Sequence, residues 1–221
     1  MRFTAALIDL DGTLLDTIPD LADAANAMRA DMAMPPLPQN VIATYVGKGT
    51  KNLVIRSLAH EEQPATPEQI EQGLGLFEKH YHRVNGLRAT LYPGVLEGLN
   101  AFKEQGVKLA IVTNKPTEFT HPLLERTGLA HFFDHIVCGD TCVEKKPHPM
   151  PFLHACDLLQ MPPSKALAIG DSINDAQAAR AAQITVLAVP YGYNEGQDVR
   201  NLEVDDIVMS IEAAAQWASL Q

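Results

Sequence analysis

Five short stretches of the chain, at 3–9, 107–113, 135–139, 166–170 and 185–189, are almost continuously apolar. Val, Ile, Leu and Ala follow one another there instead of alternating with polar residues. A strand with one wet face alternates, so these runs predict strands covered on both faces. Segments of helical composition lie between them, at 94–105, 116–127, 149–160 and 173–182. Strand and helix in turn predict an α/β fold: a Rossmann-like open parallel sheet with right-handed crossovers and helices on both faces.

One interval breaks this rhythm. After the first run, at 3–9, the next begins only at 107, and from 17 to 85 helix signals occur without a clear strand. Pro19 stands where a first helical turn would start, before LADAANAMRA, and Pro35, Pro36 and Pro38 close the segment. Segments 50–60 and 67–83 read as helices split by the EEQPAT stretch. The pattern predicts a small all-helical cap, residues 16–85, inserted into a core of residues 1–15 and 86–221. Asp16 and Thr17 read as the N-cap of its first helix. The junctions near Asp16 and at 86–90 read as hinges, and 191–194 as a turn.

Polar residues gather where the apolar runs end. These endings are Asp9-Leu10-Asp11-Gly12-Thr13, Thr113-Asn114-Lys115, Gly139-Asp140 and Gly170-Asp171-Ser172. In an open parallel sheet, ligands bind beyond the carboxyl ends of the strands, so the endings predict one site. Asp9 and Asp11, two apart on extended chain, point to the same side. Two close carboxylates favour one ionised and one protonated, which suits a nucleophile beside a general acid/base. Asp171 and Asp175 add oxygen ligands suited to a hard cation such as Mg²⁺. Lys145 and Lys146, before Pro147, are the candidate cations for an anionic substrate, with Lys145 expected in solvent.

Composition narrows the partners. The 221 residues carry 17 Lys+Arg against 27 Asp+Glu, a formal net charge of −10. That balance argues against nucleic acid or an anionic membrane as the main partner. No apolar run approaches a membrane span, and Asp9 and Asp11 interrupt the N-terminal run too early for a signal peptide. With three cysteines, an odd number, the chain reads as cytoplasmic and reduced, and Cys138, Cys142 and Cys156 as small core residues.

In motif order and spacing the chain resembles the haloacid dehalogenase superfamily phosphatases. DxDGT is Asp9 to Thr13, the Thr ending the second strand is Thr113, the Lys before Pro is Lys146, and GDSxxD is Gly170 to Asp175. Within the superfamily it is most similar to the phosphoglycolate phosphatases, through FTAALIDLDGTLLDTIPDL, YVGKGTKNLV, LYPGV, IVTNKP, GDSINDAQAARAA and YGYNEG. One departure is Gln183, where that family has Gly in a structural turn.

The resemblance implies a Mg²⁺-dependent phosphomonoester hydrolase acting through an aspartyl-phosphate. Its substrate would be a small phosphorylated metabolite, 2-phosphoglycolate, and the protein a monomer or weak homodimer. Asp9 would be the nucleophile and Asp11 the acid/base. Thr113 and the Asn114 amide would bind phosphate beside Lys146, and Asp9, Asp11, Asp171 and Asp175 would serve the metal. The cap would choose the substrate: amides of the Gly47-Lys48-Gly49 loop suit a carboxylate, with Arg56 further along the following helix. A pyrophosphatase, nucleotidase or sugar-phosphate phosphatase would keep the same motifs, and so would a mutase. A phosphoryl-accepting receiver is opposed by Asp11 and by the long insert.

Overall fold

The structure, a computed structural model, describes residues 2–59 and 64–221. His60 and Glu61, Glu62 and Gln63 of the EEQPAT stretch lie outside the described residues.

The five apolar runs form β1 (Ala5–Ile8), β4 (Lys108–Val112), β5 (His135–Val137), β6 (Ala166–Gly170) and β7 (Thr185–Ala188). With β8 (Asp206–Ile207) they make one parallel sheet in the order β5-β4-β1-β6-β7-β8. Successive side chains of a strand point to opposite faces. Ala6 and Ile8 accordingly enter the core cluster on one side of the sheet, while Ala5 and Leu7 enter the cluster on the other. The first cluster holds residues of α5 (Val95–Glu104), α6 (Thr117–Arg126) and α9 (Ile211–Ser219). The second holds residues of α7 (Met150–Leu159) and α8 (Ile173–Ala181). Both faces are covered, which is why these strands read as unbroken apolar runs.

The sequence did not announce α9 or β8. The Ser210 hydroxyl accepts the Ala213 amide at 3.0 Å to start α9, which packs on α5; a Cβ at Gly98 would overlap the Ile211 backbone. Gln183, which follows α8, has a φ of +59°. This left-handed value accounts for the family's glycine at that turn. The three cysteines are free, with Cys138 and Cys156 buried.

The insert contributes α1 (Ile18–Asp31), α2 (Gln39–Ala43), α3 (Thr50–Leu58) and α4 (Pro67–Val84). Pro19 lies in the first turn of α1. Thr66 and Gln69 form a reciprocal cap on α4, at 3.3 and 2.9 Å. The four helices share their own core around Leu21, Met28, Val54 and Phe77. Among the described residues no helix is long and apolar enough to cross a membrane.

Both junctions of the insert run through a short antiparallel ribbon, β2 (Leu15–Asp16) against β3 (Thr90–Leu91). Asp20 of α1, fully buried, accepts the amides of Gly86 at 2.9 Å, Arg88 at 2.9 Å and Ala89 at 3.1 Å. One carboxylate thereby ties the outgoing chain to the incoming helix. Asp20→Asn replaces an acceptor oxygen by an amine that faces backbone donors. It is expected to lower the unfolding free energy by about 2 kcal/mol, read from urea titration.

Candidate active site

Asp9 follows the last residue of the central strand, and its amide still donates to the Ile169 carbonyl at 2.9 Å. The side chain therefore projects at the carboxyl rim of the sheet. Lys146 Nζ lies 2.9 Å from Asp9 Oδ1 and 2.6 Å from Asp175 Oδ1, and donates to the Val112 carbonyl at 2.6 Å. Those three partners use all the donors of an ammonium. Asn114 holds the Lys146 backbone: its Oδ1 accepts the Lys146 amide at 3.0 Å, and its Nδ2 donates to the Lys146 carbonyl at 2.8 Å. The same Nδ2 donates to the Gly47 carbonyl of the insert at 2.8 Å. The Asn114 side chain is thus committed to joining core and insert. Thr113, buried at the end of β4, accepts the Lys115 amide at 3.2 Å. Lys145 is exposed.

Asp175 closes the first turn of α8, its Oδ2 accepting the Ser172 amide at 3.2 Å and hydroxyl at 2.7 Å. Asp171 accepts the Thr13 hydroxyl at 3.1 Å and the Tyr193 amide at 2.6 Å. Asp9, Asp171 and Asp175 present oxygens within 4.8 Å of one another, all buried. Burial, which outweighs the Lys146 charge, and the neighbouring Asp175 push Asp9 up to about 7. Burial and the charges of Asp9 and Asp175 push Asp171 up to about 8. Glycines leave room for these groups. A Cβ at Gly12, whose φ is +90°, would come within 2.5 Å of Asp171 Oδ2, and one at Gly170 would overlap Asp175. Three buried carboxylates, of which Asp9 and Asp175 are paired with the Lys146 ammonium, form an oxygen-only, negatively charged donor set, which fits a hard divalent cation.

Asp11 has different partners. Its Oδ1 accepts the Thr17 hydroxyl at 2.7 Å and lies 3.1 Å from Lys115 Nζ. Lys115 also donates to the Tyr81 hydroxyl of α4 at 2.6 Å. Burial opposes the Lys115 charge, but Asp11 and Tyr81 outweigh it and hold the ammonium above its ordinary range. Thr17 takes the expected N-cap position of α1, but its side chain makes no cap, because its hydroxyl is spent on Asp11; the Asp16 carboxylate accepts the Ile18 amide at 3.2 Å. Stretch 191–194 is likewise more than a turn. The Tyr193 hydroxyl accepts the Thr17 amide at 2.8 Å and donates to Asp16 Oδ1 at 3.0 Å, at the junction of the insert.

A small cavity of about 40 Å³ separates the rim from the insert. Asp9, Asp11, Thr113, Asn114 and Lys146 line it from the core, and Gly47 and Gly49 from the insert. Lys48 and Arg56 do not. Lys48 Nζ lies 2.7 Å from Glu195 Oε1, while Arg56 lies 3.6 Å from Glu195 Oε2 and over the Tyr45 ring. Both basic groups are occupied outside the cavity.

Among the lining residues that sequence reasoning did not place at the site are Lys115, Tyr81 and Asn174. Lys115 follows directly on the end of the second strand, but nothing in its spacing separates it from a solvent-facing Lys. Tyr81 comes from another helix, and no spacing announces it. Asn174 lies inside GDSIND, and its buried Nδ2 has no hydrogen-bond partner among the described residues.

The sequence model of the haloacid dehalogenase-like hydrolases matches residues 6–189. A phosphoglycolate phosphatase of Nitrosospira multiformis is 48% identical over 213 residues, covering 96% of this chain and 94% of that protein. One of Thiobacillus denitrificans is 46% identical, covering 96% and 93%. The crystal structure of a predicted phosphoglycolate phosphatase from Haemophilus somnus superposes with a TM-score of 0.93 at 33% identity, covering 99% of both chains.

Proposed function

The chain belongs to the haloacid dehalogenase-like hydrolases as a phosphatase, and from that premise we propose that it hydrolyses 2-phosphoglycolate to glycolate and phosphate. The relatives named for that activity match nearly the whole chain. The observation that carries the mechanism is the division of labour between two aspartates: Asp9 is buried against Lys146, while Asp11, lining the same cavity, is paired with Lys115.

On this reading Asp9 attacks phosphorus, forming an Asp9 Oδ–P bond as the bond to the glycolate oxygen breaks. Asp11 gives its proton to the leaving alkoxide. It then takes a proton from the water that attacks the aspartyl-phosphate, releasing phosphate and restoring Asp9. The Thr113 hydroxyl and the Asn114 amide hold phosphoryl oxygens. Lys146 opposes their charge from a position set by Asn114 and Asp175. Mg²⁺ held by Asp9, the Asp11 carbonyl and Asp171, with Asp175 behind them, would neutralise developing charge on the phosphoryl group.

The insert, residues 16–85 on this reading, acts as the cap, and Gly47 and Gly49 close over the substrate. Lys48 and Arg56 are left out of the binding set because Glu195 engages both. The reaction runs in the cytoplasm. The test is phosphate release from a panel of phosphomonoesters and pyrophosphate, with Mg²⁺ and with a chelator. The expected result is metal-dependent turnover with the highest kcat/KM on 2-phosphoglycolate. A clear preference for a nucleotide, a sugar phosphate or pyrophosphate would overturn the substrate and keep the mechanism.

A further inference from the structure

We propose that Lys115, with the Tyr81 hydroxyl, seats the carboxylate of the substrate and so makes the phosphatase select an anionic leaving group. The inference deepens the 2-phosphoglycolate reading and rests on it.

A doubly charged phosphate ester carrying a carboxylate needs a cation for each end. Four basic side chains near the cavity can be ruled out for the second end. All three donors of Lys146 are taken, by Asp9, Asp175 and the Val112 carbonyl, at the end where the phosphoryl group must sit. Lys48 and Arg56 are bound by Glu195 and do not line the cavity. Lys145 is exposed and does not line it either.

Lys115 remains. It is buried, lines the cavity, and lies 3.1 and 3.3 Å from the two carboxylate oxygens of Asp11 and 2.6 Å from the Tyr81 hydroxyl. One N–H forked between the two oxygens of a single carboxylate serves both Asp11 contacts, so one of the three ammonium donors is left for the substrate. The groups around it suit a short carbon chain: Leu21, Leu53 and Phe77 line the same cavity from the insert. Asp11 lines the same cavity, 3.1 Å from Lys115, and can give a leaving oxygen its proton. Recognition thus spans both layers, with the cation on the core and its hydroxyl partner on the insert.

Because Lys115 also holds Asp11, its loss slows every substrate, and a single activity would not separate the two roles. The measurement is therefore a ratio. It compares kcat/KM for 2-phosphoglycolate with kcat/KM for ethyl phosphate, which carries a methyl group in place of the carboxylate, at saturating Mg²⁺. Damage to Asp11 cancels in this ratio. In Lys115→Met the preference for 2-phosphoglycolate is expected to collapse by at least ~30-fold, mostly through KM. In Tyr81→Phe, which keeps the ring and the Lys115–Asp11 pair, it is expected to fall by roughly threefold to tenfold. The Tyr81 variant also decides the matter if Lys115→Met does not fold. Parallel losses on both substrates, with the preference intact, would overturn the inference and leave Lys115 as a positioning residue for Asp11. A parent enzyme without any preference for 2-phosphoglycolate would overturn the substrate reading, and this inference with it.

Discussion

Asp9→Asn is expected to lose at least about 10⁴-fold in kcat on every phosphomonoester, because it removes the atom that bonds to phosphorus. An amide of the same shape keeps the hydrogen-bonded rim, so the loss is chemical and should not reflect unfolding. The site also predicts the sign of the accompanying stability change. Burial and the neighbouring acids hold Asp9 at about 7 despite Lys146. Ionising it therefore opposes folding of the metal-free chain, and a neutral isostere removes that opposition. At pH 8 without metal the variant should melt no lower than the parent. Single-turnover assays with thermal melts check both halves. Substantial turnover by Asp9→Asn would overturn the assigned nucleophile.

Removing the metal is expected to abolish turnover and to make stability fall with rising pH. Asp9 at about 7 and Asp171 at about 8 both stand above the ordinary carboxylate value. Between that value and about pH 8 the folded chain therefore binds more protons than the unfolded one. The stability these groups contribute is fully present below about pH 4 and is lost as pH rises through 7 to 8. For the coupled cluster the loss is on the order of 3 kcal/mol, or about 10 °C in melting temperature. Saturating Mg²⁺ should restore most of it at pH 8 and have little effect at pH 5. Melts in EDTA and in Mg²⁺ across that range are the measurement. A metal-free chain whose melting temperature rises from pH 5 to 8 would contradict this account of the cluster.

The core and the acidic rim were legible in the sequence for a physical reason. A parallel strand buried on both faces must be apolar throughout, so β1, β4, β6 and β7 announce themselves. A site at their carboxyl ends must follow each run directly, which places Asp9, Thr113 and Asp171. Elements held together by distant partners left no such mark. The two-residue strands β2, β3 and β8 are too short for any period. Tyr81 meets Lys115 only because α4 packs over the rim. Lys48 and Arg56 lay near the glycine loop in sequence, yet Glu195, from the far end of the chain, draws them outward. Thr17 sat at a helix start, but tertiary contact with Asp11 claimed its hydroxyl.

The ribbon at the insert junction bears on how the molecule assembles. Ala5 pairs with Lys108 on one side and Ala166 on the other, so the strand leading to Asp9 waits for distant chain to return before it is seated. Loop-closure entropy grows only with the logarithm of loop length, but it must be met before such pairings reward it. By pairing Leu15 with Leu91 and Asp16 with Thr90, the ribbon brings the ends of the insert together. A folded insert then presents the nascent sheet with a short effective loop. The helical piece is thus placed to form early and guide the return of β4.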